Sequence, residues 1–414
     1  MSNRVVITGL GMVSPLGNSV DETWQGMIEG RSGVDQITKF DASNYPATIA
    51  AEVKDFEIRD YIDKREARKM DPFSHYAVAA SMQAMKDAGL SEGSFDPERI
   101  GVILGVGIGG FETLENSYEA LFLKGPERVP PMTIPKHIAN EGPGNAAIAL
   151  NAQGPCYALT TACSSATDAI GSAYRLLKDG VMDMMVTGGV EACITKLGVM
   201  GFCVIQALTT DFNDRPTEAS RPFDAKRSGF VIGEGAGIMT IETLDHAKAR
   251  GAKIYAEIVG NGMMCDAQHL TAPHTEGRGA IQAMRMALRE AGMQPEDVDY
   301  INAHGTSTPI NDPFETKAIK ATFGDHAYKV KISSTKSMTG HCIGATGGIE
   351  AIACVKAITE GIIPPTINQE EPDPECDLDY VPNKAQKADV KVAMSNTFGF
   401  GGHNGVLITK RFEE

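Results

Sequence analysis

Four short segments of this sequence recur, in the same order, further along it, and that repetition limits the folds open to the chain more than any other feature. Ile7-Thr-Gly-Leu-Gly-Met12 is echoed by Ile258-Val-Gly-Asn-Gly-Met263, and Ala84-Met-Lys-Asp-Ala-Gly-Leu90 by Ala287-Leu-Arg-Glu-Ala-Gly-Met293. Ala166-Thr-Asp-Ala-Ile170, with the helix-patterned run after it, returns as Ala345-Thr-Gly-Gly-Ile349 and a run ending near Gly361. Gly233-Glu-Gly-Ala-Gly-Ile238 returns as Gly401-Gly-His-Asn-Gly-Val406. Each match is weak alone, but together they imply an internally duplicated α/β fold joined near residues 245–254. A chain of 414 residues is long enough for two such halves, residues 1–250 and 251–414. If the halves pack about a pseudo-twofold axis, the run from Ala345 begins opposite the run from Ala166.

The first of those runs carries the sharpest chemical signal. Cys156 to Thr160, bounded by Gly154-Pro155, reads as a short buried strand. From Ala166 the apolar residues Ala169, Ile170, Ala173, Leu176 and Leu177 fall on one helical face, with Lys178 in the last turn and Gly180 as a left-handed stop. Cys163 therefore lies where a strand breaks into a helix N-terminus. Unpaired N–H groups and the positive dipole end there favour a thiolate and can hold an oxyanion. A small thiol packed at a strand end is the other reading of this stretch alone.

Histidines from the second half complete the pattern. Val298 to Asn302 reads as a strand delivering His304 at its C-terminal end, with Thr306 and Thr308 following and Asp312-Pro313 as the N-cap and first residue of a helix. Lys331 to Thr335 delivers Lys336 and His341 in the same way, and Glu350 lies one helical stretch on. A single histidine is usually structural. Two that each close a strand, opposite a cysteine at a helix start, fit nucleophilic catalysis, and finger-type metal spacing is missing. Phe398 and Phe400 sit in the Gly-rich run Asn396 to Gly405, where a mobile backbone lets an aromatic ring act as a gate or plug the core. The charged run Arg221 to Arg227 reads as a structural ion-pair network.

Composition narrows the partners. Net charge is −15, which argues against nucleic acid and anionic membranes as general partners. No apolar run reaches the roughly 18 residues of a membrane span. The opening strand shows no signal-peptide pattern, and eight scattered cysteines without a C-x-x-C pair fit a reduced, cytoplasmic protein. Against that acidic background Lys64, Arg65, Arg68 and Lys69 cluster at helical spacing, a solvated face or a dock for a small acidic partner.

Taken together, Thr161-Ala-Cys163-Ser, the run Arg221 to Gly237, Asn302-Ala-His304-Gly-Thr-Ser-Thr308, Lys336-Ser-Met-Thr-Gly-His341 and Gly399-Phe-Gly-Gly402 resemble the β-ketoacyl-acyl-carrier-protein synthases. The likeness runs from first strand to last and is strongest to the elongating, synthase II type of bacterial type II fatty-acid synthesis. It implies a thiolase-like fold, two related halves stacked as five α-β-α-β-α layers and dimeric. It also implies decarboxylative condensation: Cys163 carries the acyl chain as a thioester, with the N–H groups of Cys163 and Phe400 as oxyanion hole. His304 and His341 stabilise the enolate of malonyl carrier protein, tuned by Lys336 and Glu350. Thr306 and Thr308 would bind the phosphopantetheine arm, and Ile108 and Phe202 would line the acyl pocket together with Phe398. Lys64, Arg65, Arg68 and Lys69 would dock acyl carrier protein. No metal or organic cofactor is implied, because loss of carbon dioxide drives the reaction. The related alternative is a ketosynthase of a type II polyketide or specialised lipid pathway. His403 departs from the small hydroxyl residue of many members. Residues 130–137 are unusual for a segment expected to border the acyl pocket.

Overall fold

The computed structural model describes residues 2–91 and 93–414. Its main sheet has ten strands. In the first half these are β1 Val5–Val13, β2 Ile100–Val106, β3 Cys156–Leu159, β4 Met184–Glu191 and β5 Gly235–Thr243. In the second they are β6 Ala256–Cys265, β7 Tyr300–Asn302, β8 Lys331–Ser333, β9 Val392–Gly399 and β10 His403–Lys410. The order is β8-β7-β9-β10-β6-β1-β5-β4-β2-β3, so each half is the same five-stranded arrangement read outward from the centre. The halves join where Val5, Val6 and Ile7 pair antiparallel with Ile258, Glu257 and Ala256.

The helices that matter are α1 Pro72–Asp87, α2 Phe111–Lys124, α3 Glu141–Leu150, α4 Ser165–Lys178, α5 Lys196–Val204, α6 Arg278–Ala291, α7 Asn311–Phe323 and α8 Thr346–Glu360. Helices α1 and α3 cover one outer face, α6 and α7 the other, and α4 and α8 lie side by side between the half-sheets. The result is five layers, α-β-α-β-α. The two middle helices pack through apolar residues, from Ala169, Ile170 and Leu177 of α4 to Ile349, Ile352 and Val355 of α8.

The repeated glycines are there because helix backbone lies directly on the strand. A Cβ at Gly9 or Gly11 would sit 2.0 Å from the carbonyl oxygens of Ala84 and Ala80. At Gly260 and Gly262 it would sit 2.3 and 1.9 Å from those of Ala287 and Ala283. Two echoes thus reproduce one contact in matching register.

The central-helix echo does not keep the register read from the sequence. Each central helix is entered through a tight turn, Ala162–Ser164 before α4 and Ile343–Ala345 before α8, and both turns open on a left-handed residue, Ala162 (φ 52°) and Ile343 (φ 44°). Ser165 therefore matches Thr346, and the similarity of Ala166 to Ala345 is displaced by two positions. Runs of Ala, Gly and Thr are too alike in size to fix a register.

Two further readings are corrected. β3 is an edge strand with Cys156 and Tyr157 exposed, not a buried one. Asp312 is not a helix cap: α7 begins at Asn311, whose N–H is taken by the Thr308 hydroxyl. Asp312 is buried inside its first turn, accepting the N–H of Phe223.

Candidate active site

The turn before α4 presents Cys163. Ala162 is held left-handed by a lattice of short bonds. The Thr161 N–H donates to Ser165 Oγ at 2.9 Å, Ser165 Oγ donates to the Ala162 carbonyl at 2.6 Å, and Thr161 Oγ1 donates to Asp168 Oδ2 at 2.6 Å. Gly399, the last residue of β9, lies flat against this turn: a Cβ there would be 2.8 Å from the Thr161 carbonyl and 3.0 Å from the Cys163 nitrogen. The N–H groups of Phe400 and of Cys163 itself consequently point at Sγ. Helix-start placement had suggested a low thiol pKa. Burial wins instead, pushing the thiol up to about 12 against the opposing pull of Lys336 and the two amides. The resting group is a neutral thiol, and its proton needs an acceptor.

That acceptor is in contact. His341 Nε2 lies 3.0 Å from Cys163 Sγ, and its Nδ1 lies 3.0 Å from Thr346 Oγ1. His304 stands beside it, the two ring centres 5.3 Å apart and the planes 87° to each other. Burial holds both imidazoles well below their ordinary pKa, with Lys336 pushing the same way, so both are neutral at pH 7. Lys336 Nζ pairs with Glu350 Oε1 at 2.5 Å, and both side chains are enclosed. Glu315 takes the N–H groups of His304 and Gly305 at 2.8 and 2.7 Å, which fixes the His304 turn. Burial raises both carboxyls to about 7.

These groups open on a cavity of about 480 Å³. Cys163, His304 and His341 form its floor, and Phe202, Thr306, Thr308, Phe398 and Phe400 line it. Thr306 and Thr308 share a hydroxyl contact of 3.0 Å. The Thr308 carbonyl accepts from Arg227 Nε at 3.0 Å, so the ion-pair network around Arg221, Asp224 and Arg227 braces this wall. Ile108 does not line the cavity. It packs behind Phe202 in an apolar cluster with Phe230 and Ile343. His403 lies on the rim beside Phe400. Among the described residues no cluster of three His, Cys, Asp or Glu is arranged to hold a metal ion.

Lys64, Arg65, Arg68 and Lys69 are brought to a different place. Lys64 opens the short helix Lys64–Ala67, capped by Asp63, and Lys69 pairs with Glu66 at 2.7 Å. Lys64 and Arg68 line a second concavity that shares no residue with the first. Pro130, Met132, Thr133 and Lys136 line it too, so segment 130–137 does not border the Cys163 cavity as the sequence had suggested. Bonds from Thr133 to Ser117 and from His137 to the Gly110 carbonyl pin it over α2 instead. Glu315 and Thr346 were missed by sequence reasoning. Both act on a histidine through a backbone amide or a single hydroxyl, which leaves no motif.

Comparison with known proteins agrees along the whole chain. A family model described as Beta-ketoacyl synthase, N-terminal domain, matches residues 2–247, and its C-terminal counterpart matches residues 255–370. The 3-oxoacyl-[acyl-carrier-protein] synthase 2 of Synechocystis sp. is 53% identical over 410 residues, covering 99% of this chain and 98% of that one. Among solved structures, the ishigamide ketosynthase/chain length factor superposes with a TM-score of 0.94 at 37% identity, covering 100% of both chains. A type II PKS ketosynthase, solved with its acyl-carrier protein and bound to a hexaketide, gives 0.92 at 32% identity, again over 100% of both chains.

Proposed function

This chain belongs to the β-ketoacyl synthase family, and from that we propose how its site carries out the condensation. It is a β-ketoacyl-acyl-carrier-protein synthase of the elongating type. It joins an acyl chain held on Cys163 to malonyl-acyl carrier protein, releasing carbon dioxide and β-ketoacyl-acyl carrier protein. The observation that carries the assignment of roles is the 3.0 Å contact between His341 Nε2 and Cys163 Sγ, with His304 set perpendicular beside it.

In the first step Sγ attacks the thioester carbonyl of the acyl carrier and its proton passes to His341 Nε2. The developing oxyanion is held by the N–H groups of Cys163 and Phe400. The carrier's thiol leaves, taking up the proton. In the second step the bond from the malonyl α-carbon to its carboxylate breaks. The electron pair enters the thioester as an enolate, and carbon dioxide departs. Neutral imidazoles donate to that enolate oxygen without giving up their protons, and each well-aimed donor contributes about 3–4 kcal/mol. The Thr346 hydroxyl can donate or accept at His341 Nδ1, so it serves either tautomer of the ring. The carbanion then attacks the Cys163 thioester, and the departing thiolate takes up a proton from solvent, relayed by His341 Nε2, to restore the resting thiol. Lys336 and Glu350 set the field around both rings, Thr306 and Thr308 bind the phosphopantetheine arm, and Phe202, Phe398 and Phe400 enclose the acyl chain. Carbon dioxide release drives the step, so no metal or organic cofactor is required.

Fatty-acid elongation is favoured over polyketide assembly because the 3-oxoacyl-[acyl-carrier-protein] synthase 2 relative is 53% identical and the type II PKS ketosynthase 32%. The partners are acyl- and malonyl-loaded carrier protein, docked on Lys64, Arg65, Arg68 and Lys69, and a second copy of the chain. The unpaired edge of β3 and the apolar residues Phe122, Leu123, Ile134 and Val204, all more than 60% exposed, support a homodimer. No helix among the described residues is long and apolar enough to cross a membrane, and eight free thiols fit the reducing cytoplasm. The deciding experiment incubates the protein, expected to sediment as a dimer, with acyl carriers of several lengths and malonyl carrier protein. Wild type should form β-ketoacyl product and Cys163→Ala should form none. Undiminished condensation by Cys163→Ala would overturn the nucleophile.

A further inference from the structure

The duplication copies the oxyanion hole along with the fold. In register, Gly237 of β5 pairs with Gly189, and its counterpart Gly405 of β10 pairs with Thr397. Two residues further along the neighbouring strands, Glu191 therefore stands where Gly399 stands in the other half. The turns before α4 and α8 likewise make Gly344 the counterpart of Cys163. At the catalytic turn Gly399 has no side chain, and the amides of Cys163 and Phe400 are left to the Cys163 sulfur and the cavity. At the second turn the space is filled. The Glu191 carboxylate accepts the N–H of Gly344 at 3.2 Å, of Ile108 at 3.2 Å and of Gly109 at 3.4 Å. A Cβ at Gly107 would lie 2.3 Å from Oε2, and one at Gly344 3.0 Å from it, so both glycines are needed for the carboxylate to sit there.

Glu191 is fully enclosed, and no cation among the described residues pairs with it. Amides alone hold it, and burial raises its pKa to about 7. A surface ion pair or a solvated acid would be ordinary. A buried lone carboxylate in an amide nest is costly to keep unless the nest needs filling.

We propose that Glu191 is a built-in surrogate oxyanion, permanently filling the second copy of the hole and thereby positioning the groups tied to it. Gly344 lies inside the turn that runs from His341 to Thr346, the two residues whose bond aims the imidazole at Cys163. Ile108 and Gly109 belong to the loop that closes the apolar cluster behind Phe202. One side chain therefore locks the His341 turn and the loop that backs Phe202 to each other. Glu191 is a positioning residue: it touches no reacting atom.

The inference rests on the condensing reading above, and the test separates the two. Glu191→Ala leaves an amide-lined hole of carboxylate size, which formate can refill. Condensation is measured for wild type, Glu191→Ala and the isosteric Glu191→Gln, with sodium formate or sodium chloride at equal ionic strength. Wild type should be indifferent to formate. Glu191→Ala should condense at least about tenfold slower and regain about threefold or more with formate, while its acyl-carrier KM stays close to wild type. Glu191→Gln should be slow and indifferent to formate, because an amide fills the hole but turns NH2 donors toward the backbone donors. If wild type does not condense, the assigned reaction is wrong. If wild type condenses and Glu191→Gln matches it, or a folded Glu191→Ala shows no formate recovery, the surrogate role is wrong. Should Glu191→Ala not fold, the Glu191→Gln rate decides.

Discussion

His304 and His341 are enclosed, with Lys336 close to both, and their protonation is tied to folding. An imidazole whose folded pKa lies below its unfolded value of ~6.5 takes its proton more readily in the unfolded chain. Its burial therefore subtracts stability as pH falls below ~6.5, by about 1.4 kcal/mol per pH unit. Glu350, Glu315 and Glu191, each raised to about 7, act in the opposite sense. The folded chain binds their protons more readily, so they add stability as pH falls from about 7. The whole protein mixes the two, but a single variant isolates one. Urea midpoints for His304→Asn and wild type, compared from pH 6.5 to 5, should show wild type losing the additional ~1.4 kcal/mol per unit. Parallel curves would mean that His304 binds its proton equally in the folded and the unfolded chain, against the lowered pKa. The cysteine and His304 could be picked out from the sequence because each follows a strand end beside a small residue, whereas His341 follows the short helix Lys336–Thr339 and not, as the sequence had suggested, the strand itself. Their protonation could not, since it depends on depth below the surface, and depth belongs to the packed molecule.

At the scale of elements, small residues do the shaping. The strands β1 and β6 carry Gly where α1 and α6 carry Ala, and the contact is backbone on backbone in both halves. Gly262→Ala would place its methyl 1.9 Å from the Ala283 carbonyl, which is backbone and cannot rotate aside. Overpacking of this kind costs about 1–3 kcal/mol or more, and the helix must lift from the sheet to relieve it. A urea midpoint unchanged from wild type would show that α6 is free to shift. These Gly-x-Gly and Ala-rich echoes were readable because the same contact demands the same residues twice. The register of the central helices was not, since any small residue fits between two sheets. The Asp312 helix start was misread for a related reason. Asp followed by Pro is a good helix opening locally, but Thr308 supplies the cap and Phe223 claims the carboxylate.

For the whole molecule, duplication explains why the catalytic groups meet. α4 from one half and α8 from the other lie side by side in the middle layer, so a thiol at one turn and an imidazole just before the other converge. The cations proposed to dock the carrier, by contrast, lie outside that symmetry, on and just after the short helix Lys64–Ala67. Their charges are not equivalent. Lys69 is neutralised by Glu66 at 2.7 Å, whereas no carboxylate among the described residues pairs with Lys64, Arg65 or Arg68. On a chain of net charge −15, these unpaired cations are what a small acidic carrier would find attractive at long range. Arg68→Glu should therefore raise KM for carrier-borne substrates several-fold at low salt, and clearly more than Lys69→Glu. The difference should shrink as ionic strength approaches ~1 M, where screening acts within about 3 Å. For acyl-pantetheine lacking the protein, neither variant should change kcat or KM. Equal effects of the two variants, or a defect that persists with the small substrate, would place carrier recognition elsewhere on the surface.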